Sequence, residues 1–363
     1  MVTATDVPDP DPQASFHRLL LRLAGHTPPE IMPALRQWLA EGRLTEVTNA
    51  VYTVAVTWGV ALPAVDAELL ATVVPEHPQA GMLTQLSGTA RPAVPPYAFA
   101  PVPPGAVVWS GNDPQLLDLT TVHADLAAVA ADEVDAVAVE TAGAEPGAVA
   151  LWRAWRLRSS AHAQEPPVRV YLLEADRPTA DLPAVAARLQ RALYDVGLPD
   201  PQVEVYHPGL DLPDYQRLAR GGSALLWTAT TAEPVTIARV FDRVDPIGGP
   251  QFDPDHERIA DSAERDRILD YLRAGVPLLS TTAREPDHLD PDRAVVVPLT
   301  FRTDGHWIWT DAVGYYLQVH GMSPDARLLT HIRQAGYRTP TVDQVAIHRG
   351  LAVLQGPIRV TTG

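Results

Sequence analysis

The sequence predicts a multidomain α+β / α/β protein with an N-terminal helical domain, a small parallel α/β domain and a C-terminal domain with a β-hairpin and helices. Apolar residues repeat at helical spacing in the first part of the 363-residue chain. Strand-like and helix-like segments alternate in the middle, and two strand-like runs flank an Asp-Gly turn near the end. A chain of this length is expected to hold two or three domains.

The N-terminal part predicts a tail, a helical domain and a linker. Residues 1–14 are acidic and rich in proline, which favours a disordered tail. Residues 15–88 are predicted to form the helical domain, because apolar side chains recur at i, i+3, i+4 and i+7, beginning with Phe16, Leu19, Leu20 and Leu23. Residues 89–106 contain many prolines and few polar side chains, which is typical of an extended linker.

Residues 107–235 predict the small α/β domain. Strand-like runs at 168–173, 203–206 and 223–227 alternate with segments of helical spacing, an order that predicts mostly parallel strands and right-handed crossovers. Earlier in this domain, the residue pattern predicts a strand at 107–109, a helix over 113–131 and a short buried strand at 134–139.

Residues 236–363 predict the α+β domain. Asp253 and the proline after it indicate the start of a long polar helix that ends near residue 274, and a strand is predicted over 276–281. The strongest local pattern follows, because two strand-like runs are separated by Asp304 and Gly305 alone, which predicts a type I′ hairpin. Three helices are predicted after the hairpin.

A two-residue hairpin loop determines which side chains share a face. The predicted opposite pairs are Thr303–His306, Arg302–Trp307 and Phe301–Ile308. The face that carries Arg302, Trp307 and Trp309 has two interpretations. It is either an exposed surface that binds a flat ligand or a protein partner, or a buried surface packed against the following helix.

Titratable residues cluster near this turn. Asp304, His306 and Asp311 are of the types used in acid–base catalysis and metal binding. Their spacing matches no known ligand pattern, so no metal site is predicted and catalytic residues stay unassigned. His207 is the other candidate, because it follows a predicted parallel strand, and ligand sites form at such strand ends and between domains.

Tryptophans and arginines alternate in one short segment of the chain, residues 152–158 (WRAWRLR). Such a segment could bind an acidic partner or nucleic acid. The alternative interpretation is an amphipathic element in which Trp152 and Trp155 are buried and the arginines pair with the protein's own acidic residues.

Composition narrows the classes of function. The chain has no cysteine and no lysine, all 28 basic residues being arginine, which excludes thiolate nucleophiles, Schiff-base lysines and the P-loop lysine. A net charge of −16 disfavours nucleic acid as a partner. We find neither a long apolar run nor a signal-peptide pattern, and therefore expect a cytoplasmic protein that has no membrane partner. No cofactor motif is complete in the sequence, so no cofactor is predicted.

Two stretches resemble segments of uncharacterised actinobacterial proteins. Residues 301–332 read FRTDGHWIWTDAVGYYLQVHGMSPDARLLTHI, and residues 203–227 read VEVYHPGLDLPDYQRLARGGSALLW. The FRTDG-x-W-x-W-x-D core is the specific part of this resemblance, and some members of the family lie near type VII secretion or polymorphic-toxin loci. The resemblance implies an accessory or interaction role and no particular activity.

The leading hypothesis from the sequence is a non-catalytic interaction protein, of accessory, chaperone-like or immunity type, with a protein partner. The alternative is an enzyme or small-molecule-binding protein with a site between the α/β and C-terminal domains, formed by His207, Asp304, His306 and Trp309.

Overall fold

The computed structural model describes residues 11–89, 96–107, 109, 112–121, 130–158, 166–231 and 233–356. The chain divides into two compact units. Unit 1 comprises Met1–Ala232 with Ile358–Gly363, and unit 2 comprises Glu233–Pro357. The described residues form helices and several sheets, which confirms the predicted α+β class. Within the described ranges, no helix is both long and apolar enough to cross a membrane.

Unit 1 begins with five α-helices, so the helical character predicted for residues 15–88 is confirmed. They are α1 (Pro12–Leu23), α2 (Met32–Ala40), α3 (Leu44–Trp58), α4 (Ala64–Val73) and α5 (Ala80–Thr89). The Asp11 carboxylate caps α1 by accepting a hydrogen bond from the Gln13 N–H at 2.8 Å, so part of the predicted tail is helical. Residues 1–10 and 90–95 lie outside the described residues.

A mixed sheet forms the centre of unit 1. Its strands are β1 (Tyr97–Ala100), β2 (Leu117–Asp118), β3 (Ala148–Arg158), β4 (Val168–Ala175), β5 (Gln202–Tyr206) and β6 (Ser223–Thr228). The order is β2-β6-β3-β4-β5, and β1 pairs with β3. Strands β4 and β5 are parallel as predicted, but β3 lies between β4 and β6 and is antiparallel to both. The three predicted strands β4, β5 and β6 therefore run in the same direction, but the sequence did not predict a strand at 148–158, which separates β4 from β6.

Two predictions in the first part of this segment are wrong. The run at 134–139 is not a strand but part of α6 (Glu133–Ala144), because Asp132 and Asp135 form a capping box that starts a helix. The predicted helix over 113–131 is absent from 113–121, where β2 pairs with β6. Residues 122–129 of that helix, and residue 108 of the strand predicted at 107–109, lie outside the described residues.

Two further helices, α7 (Leu182–Asp195) and α8 (Asp214–Gly221), complete unit 1. Helices α6 and α7 pack on one face of the sheet and share an apolar core with it. The N-terminal helices contact the edge strand β5, where Arg36 forms a buried ion pair with Glu204. Helical segment and sheet thus fall in one compact unit, whereas the sequence predicts two domains and a linker there.

Unit 2 is built around a four-stranded sheet, ordered β10-β13-β14-β7, with β7 (Thr236–Ile237), β10 (Val276–Leu279), β13 (Phe301–Thr303) and β14 (Trp307–Thr310). Two small two-stranded pairs are β8 (Arg243–Asp245) with β9 (Gly249–Gln251), and β11 (Arg284–Glu285) with β12 (Val297–Pro298). The helices are α9 (Ser262–Ala274), α10 (Asp311–His320), α11 (Ala326–Gln334) and α12 (Gln344–Leu354). The predicted helix start at Asp253 is wrong, because Asp261 caps α9.

The buried His17 makes unit 1 sensitive to acid. Its Nε2 lies 2.9 Å from the Val205 carbonyl oxygen, and burial lowers the pKa of His17 from 6.5 to about 4, although that hydrogen bond acts in the opposite direction. The folded state therefore binds a proton less readily than the unfolded chain between these two values. The contribution of a neutral His17 to stability is complete above pH 6.5 and is lost as the pH falls towards 4.

We expect the free energy of unfolding of the wild type to fall by about 3 kcal/mol relative to His17→Gln between pH 7 and pH 4, from the size of this pKa change. Glutamine keeps an N–H donor for the Val205 carbonyl but does not titrate. Denaturant unfolding of both proteins across this pH range measures the difference, and parallel pH profiles would contradict the assignment.

Candidate functional site

The hairpin loop in unit 2 is longer than predicted. Thr303 pairs with Ile308, Arg302 with Trp309 and Phe301 with Thr310, so residues 304–307 form a four-residue loop. The Asp304 carboxylate causes this, because its Oδ1 accepts hydrogen bonds from the N–H groups of His306 (2.9 Å) and Trp307 (2.7 Å). Gly305 adopts a left-handed φ of 96° within the loop. The shift is two residues, so each side chain keeps its predicted face.

The tryptophan face of the hairpin is buried. Trp307 is 8% exposed and Trp309 1% exposed, and both belong to the apolar core that includes residues of α9, α10 and α11. The Trp309 indole N–H donates to the Leu272 carbonyl at 3.2 Å. The interpretation of this face as an exposed binding surface is therefore wrong, and the packed alternative is confirmed.

Arg302 and Asp311 have a structural role. The Arg302 Nε lies 2.6 Å from the Asp311 Oδ1, and its Nη1 donates to the carbonyl oxygens of Arg273 (3.2 Å) and Gly275 (3.0 Å) at the end of α9. These bonds satisfy helix-terminal carbonyls and tie the hairpin to α9 and α10. None of these hydrogen bonds involves Asp304.

Asp304 and His306 lie together with a third residue, His331 of α11. The Asp304 Oδ2 accepts hydrogen bonds from the Tyr271 hydroxyl at 2.5 Å and from the His331 Nε2 at 2.8 Å. One ligand atom from each of Asp304, His306 and His331 lies within 4.8 Å of the others. Asp304 is buried, whereas the side chains of His331 and His306 are 27% and 50% exposed. The three residues are called the Asp304 cluster below.

The sequence identified Asp304 and His306 of this cluster but missed its third member, His331. It also missed Tyr271, which donates a hydrogen bond to Asp304. His331 lies 27 residues after Asp304, and Tyr271 lies 33 residues before it, so no local spacing connects them. Burial and the Asp304 hydrogen bond raise the pKa of the Tyr271 hydroxyl, so this group stays a neutral donor.

His207 belongs to unit 1 and is not part of the Asp304 cluster. Its Nδ1 lies 2.5 Å from the Pro208 carbonyl oxygen, and its Nε2 lies 3.2 Å from the Asp176 Oδ1. The predicted site between domains, which would combine His207 with His306 of unit 2, stays a prediction.

The tryptophan–arginine segment forms strand β3, and its two buried arginines differ in their partners. Arg153 is 2% exposed, forms an ion pair with Asp135 of α6, and donates to the carbonyl oxygens of Ala130 and Pro101. Trp152 is fully buried and Trp155 partly buried. For Arg153, the predicted pairing with the protein's own acid is confirmed.

Arg156 lies on the opposite face of β3 and is 5% exposed. Its Nη1 donates to the Tyr215 hydroxyl at 3.2 Å, and its guanidinium lies 4.7 Å from the ring centre of Tyr97 and 6.0 Å from that of Tyr215. Within the described residues, no carboxylate forms an ion pair with it. The predicted pairing with the protein's own acid is therefore wrong for Arg156.

Arg156 lines an open cleft in unit 1 with a volume of about 820 Å³. This Arg156 cleft lies between the ends of α1 and α3, strand β1, the end of β3 and the start of α8. Its apolar lining includes prolines, aromatic rings and aliphatic side chains: Leu23, Pro28, Pro29, Trp58, Val60, Ala61, Leu62, Pro63, Pro96, Tyr97, Pro166, Val168, Pro213 and Tyr215. Trp58 is 58% exposed, so an aromatic surface is open to the cleft.

Charged residues also line the cleft, and two of them form ion pairs with other residues of unit 1. Arg22 pairs with the buried Asp66, and Asp214 pairs with Arg217. Burial raises the pKa of Tyr215 to about 12, although Arg156 acts in the opposite direction, so its phenol stays neutral near pH 7. Tyr215 therefore orients Arg156 without neutralising its charge.

No protein-family model, curated protein or solved structure matches this chain.

Replacing Trp309 by alanine should lower the free energy of unfolding by about 3–5 kcal/mol, because the large buried side chain leaves a cavity. Replacing the exposed Trp58 by alanine should change the free energy of unfolding by no more than about 0.5 kcal/mol. Denaturant unfolding of the two variants tests the difference, and equal effects would contradict the burial of the hairpin tryptophans.

Replacing each of the two buried arginines of β3 by methionine should have different effects on the free energy of unfolding. Arg153→Met removes the buried guanidinium closest to Asp135, which keeps only the longer contact with Arg169 at 3.4 Å, and should cost about 3 kcal/mol. Arg156→Met removes a buried cation that forms no ion pair with any described carboxylate, so unit 1 should keep or gain stability. Chemical unfolding of both variants measures this, and a larger loss for Arg156→Met would refute the contrast.

Proposed function

We propose that this chain is a non-catalytic binding protein whose Arg156 cleft takes an organic carboxylate with an apolar or aromatic body. The single observation that carries the proposal is Arg156 itself, a guanidinium that is 5% exposed, lines an open cleft and forms no ion pair within the described residues. A protein partner remains compatible with this proposal, because a peptide can supply the carboxylate from its C terminus or from an acidic side chain.

The charge of Arg156 favours an anionic ligand. A cation that is removed from water without a partner costs free energy, and a ligand carboxylate offsets this cost when it binds. The planar guanidinium can donate two parallel hydrogen bonds to one carboxylate. The guanidinium lies beside the Tyr97 ring and donates to the Tyr215 hydroxyl, so little side-chain entropy remains to be lost on binding.

The walls of the cleft favour an apolar body on that ligand. Prolines form rigid surfaces, and Trp58 and Tyr97 offer aromatic faces for stacking. Mostly apolar clefts of about 300–1,000 Å³ with a few placed polar groups are typical of small-ligand sites. The volume of about 820 Å³ falls in this range.

The cleft lining supports binding without chemistry. The Thr27 hydroxyl donates to the Leu23 carbonyl oxygen, and the Tyr215 hydroxyl accepts from Arg156. Among the described lining residues, no hydroxyl is hydrogen-bonded to a histidine or a carboxylate, which is the arrangement that activates a nucleophile.

The test is calorimetric titration of the full chain with aromatic carboxylates, such as benzoate and indole-3-acetate, and with short peptides that end in a free or an amidated carboxyl group. At least one free carboxylate should bind and raise the melting temperature. Arg156→Gln should weaken that binding about 10- to 100-fold, because this change in affinity corresponds to the loss of a hydrogen bond to a charged group.

The matched control is Arg191→Gln, which removes the same charge from a side chain that is 74% exposed and outside the cleft. Its affinity should equal that of the wild type. Binding of free but not amidated peptides would indicate a peptide partner, and binding of small aromatic acids alone would indicate a metabolite. The proposal fails if no carboxylate binds, or if Arg156→Gln binds as tightly as the wild type.

A further inference from the structure

Unit 2 contains three aspartate–histidine pairs within its described residues, with N···O distances of 2.6–2.8 Å: Asp304–His331, Asp287–His320 and Asp242–His256. The pair formed by Asp304 is different from the other two, because a second imidazole, that of His306, lies beside it. Among the described residues, the Asp304 cluster is the one group of three or more such side chains whose ligand atoms all lie within 4.8 Å of one another.

We propose that the Asp304 cluster binds a divalent transition-metal ion of the Zn²⁺ class. Two imidazoles and one carboxylate are ligands that Zn²⁺, Co²⁺ and Ni²⁺ accept, whereas Mg²⁺ and Ca²⁺ prefer oxygen ligands throughout. The chain has no cysteine, so a metal site of this class has to rely on histidine and carboxylate.

The carboxylate ligand is held in place before any metal arrives. Asp304 accepts two backbone hydrogen bonds on Oδ1, from His306 and Trp307, and the Tyr271 hydroxyl donates to Oδ2. Groups that orient a ligand in this way raise metal affinity, because the ligand loses little freedom on binding. Tyr271 lies on α9 and His331 on α11, so two helices support the site.

The histidines leave the cluster open to solvent. Their side chains are 27% and 50% exposed, while Asp304 closes the inner side. The ion would enter between the His331 Nε2 and the Asp304 Oδ2, which must separate from 2.8 Å to roughly 3.3 Å to ligate a common Zn²⁺ ion. The hydrogen on the His331 Nε2 then leaves the ring or moves to Nδ1, because a ligating nitrogen carries no proton.

One further carboxylate, that of Glu233, lies beside His306 at the exposed side. The Glu233 Oε2 lies 3.3 Å from the His306 Nε2, and this carboxylate is 76% exposed and able to adjust. Glu233 or a water molecule would complete the tetrahedral coordination that Zn²⁺ adopts with nitrogen and oxygen ligands.

The experiment uses the full chain without an affinity tag, stripped of metal by a chelator. Zn²⁺ is titrated by calorimetry, and Co²⁺ is titrated by its visible absorption, which reports tetrahedral coordination. We expect one ion per chain. His306→Ala and His331→Gln should each weaken binding at least about tenfold. His306 is half exposed, so its alanine variant should fold normally, which circular dichroism and the melting temperature verify.

The matched control is His320→Gln, which removes an equally close aspartate–histidine pair from the same unit. Burial alone would raise the pKa of Asp287, but hydrogen bonds from His320, the Leu289 N–H and Tyr315 outweigh it and lower the pKa, so this carboxylate is already fully bonded. The His320→Gln variant should bind Zn²⁺ with the same affinity as the wild type.

The proposal is overturned if the wild type binds no stoichiometric Zn²⁺, if His306→Ala binds it with unchanged affinity, or if His320→Gln loses it to the same degree. Metal binding in Arg156→Gln should equal that of the wild type. Failure here therefore leaves the carboxylate proposal for unit 1 untouched, and the reverse also holds.

Discussion

Strand β3 has to bury a guanidinium on each of its faces, and much of unit 1 is arranged around that constraint. On one face, Arg153 forms an ion pair with Asp135 of α6 and donates hydrogen bonds to the carbonyl oxygens of Ala130 and Pro101. On the other face, Arg156 contacts two tyrosine rings and one hydroxyl, and no carboxylate of the described residues forms an ion pair with it. A buried cation without a counter-charge is unfavourable, and this supports the proposal that the Arg156 cleft binds an anionic ligand.

Asp304 applies the same principle with the opposite sign in unit 2. Its carboxylate is fully buried, and four hydrogen bonds stabilise its charge: two from the hairpin backbone, one from Tyr271 and one from His331. These bonds determine the length of the hairpin loop and connect it to α9 and α11. The residue that shapes the turn is therefore also the residue that brings the two histidines together. Folding and the proposed metal chemistry depend on one side chain.

The two proposed sites use different physical chemistry and do not require each other. The Arg156 cleft offers a positive charge among apolar and aromatic walls, in a chain whose net charge is −16. Long-range repulsion by that net charge would slow the approach of an anion, so the affinity has to come from close contacts inside the cleft. The Asp304 cluster, in contrast, lies in an environment where the negative charge of the chain favours a cation. The interaction role suggested by the sequence no longer rests on the hairpin tryptophans, which belong to the core.

Local spacing in the sequence determined the helices of residues 15–88, the strands β4, β5 and β6, the position of the hairpin, and the candidate status of Asp304, His306 and the arginines of β3. These features depend on periodicity, capping and turn chemistry, which act over a few residues. Only the tertiary structure decided the antiparallel position of β3, the helical state of residues 134–139 and the four-residue hairpin loop. It also decided that Arg156 has no ion-pair partner among the described residues and that His331 lies beside Asp304. The physical reason is that pairing, burial and charge compensation between distant segments are selected by the free energy of the whole packed unit, and no short stretch of sequence contains that information.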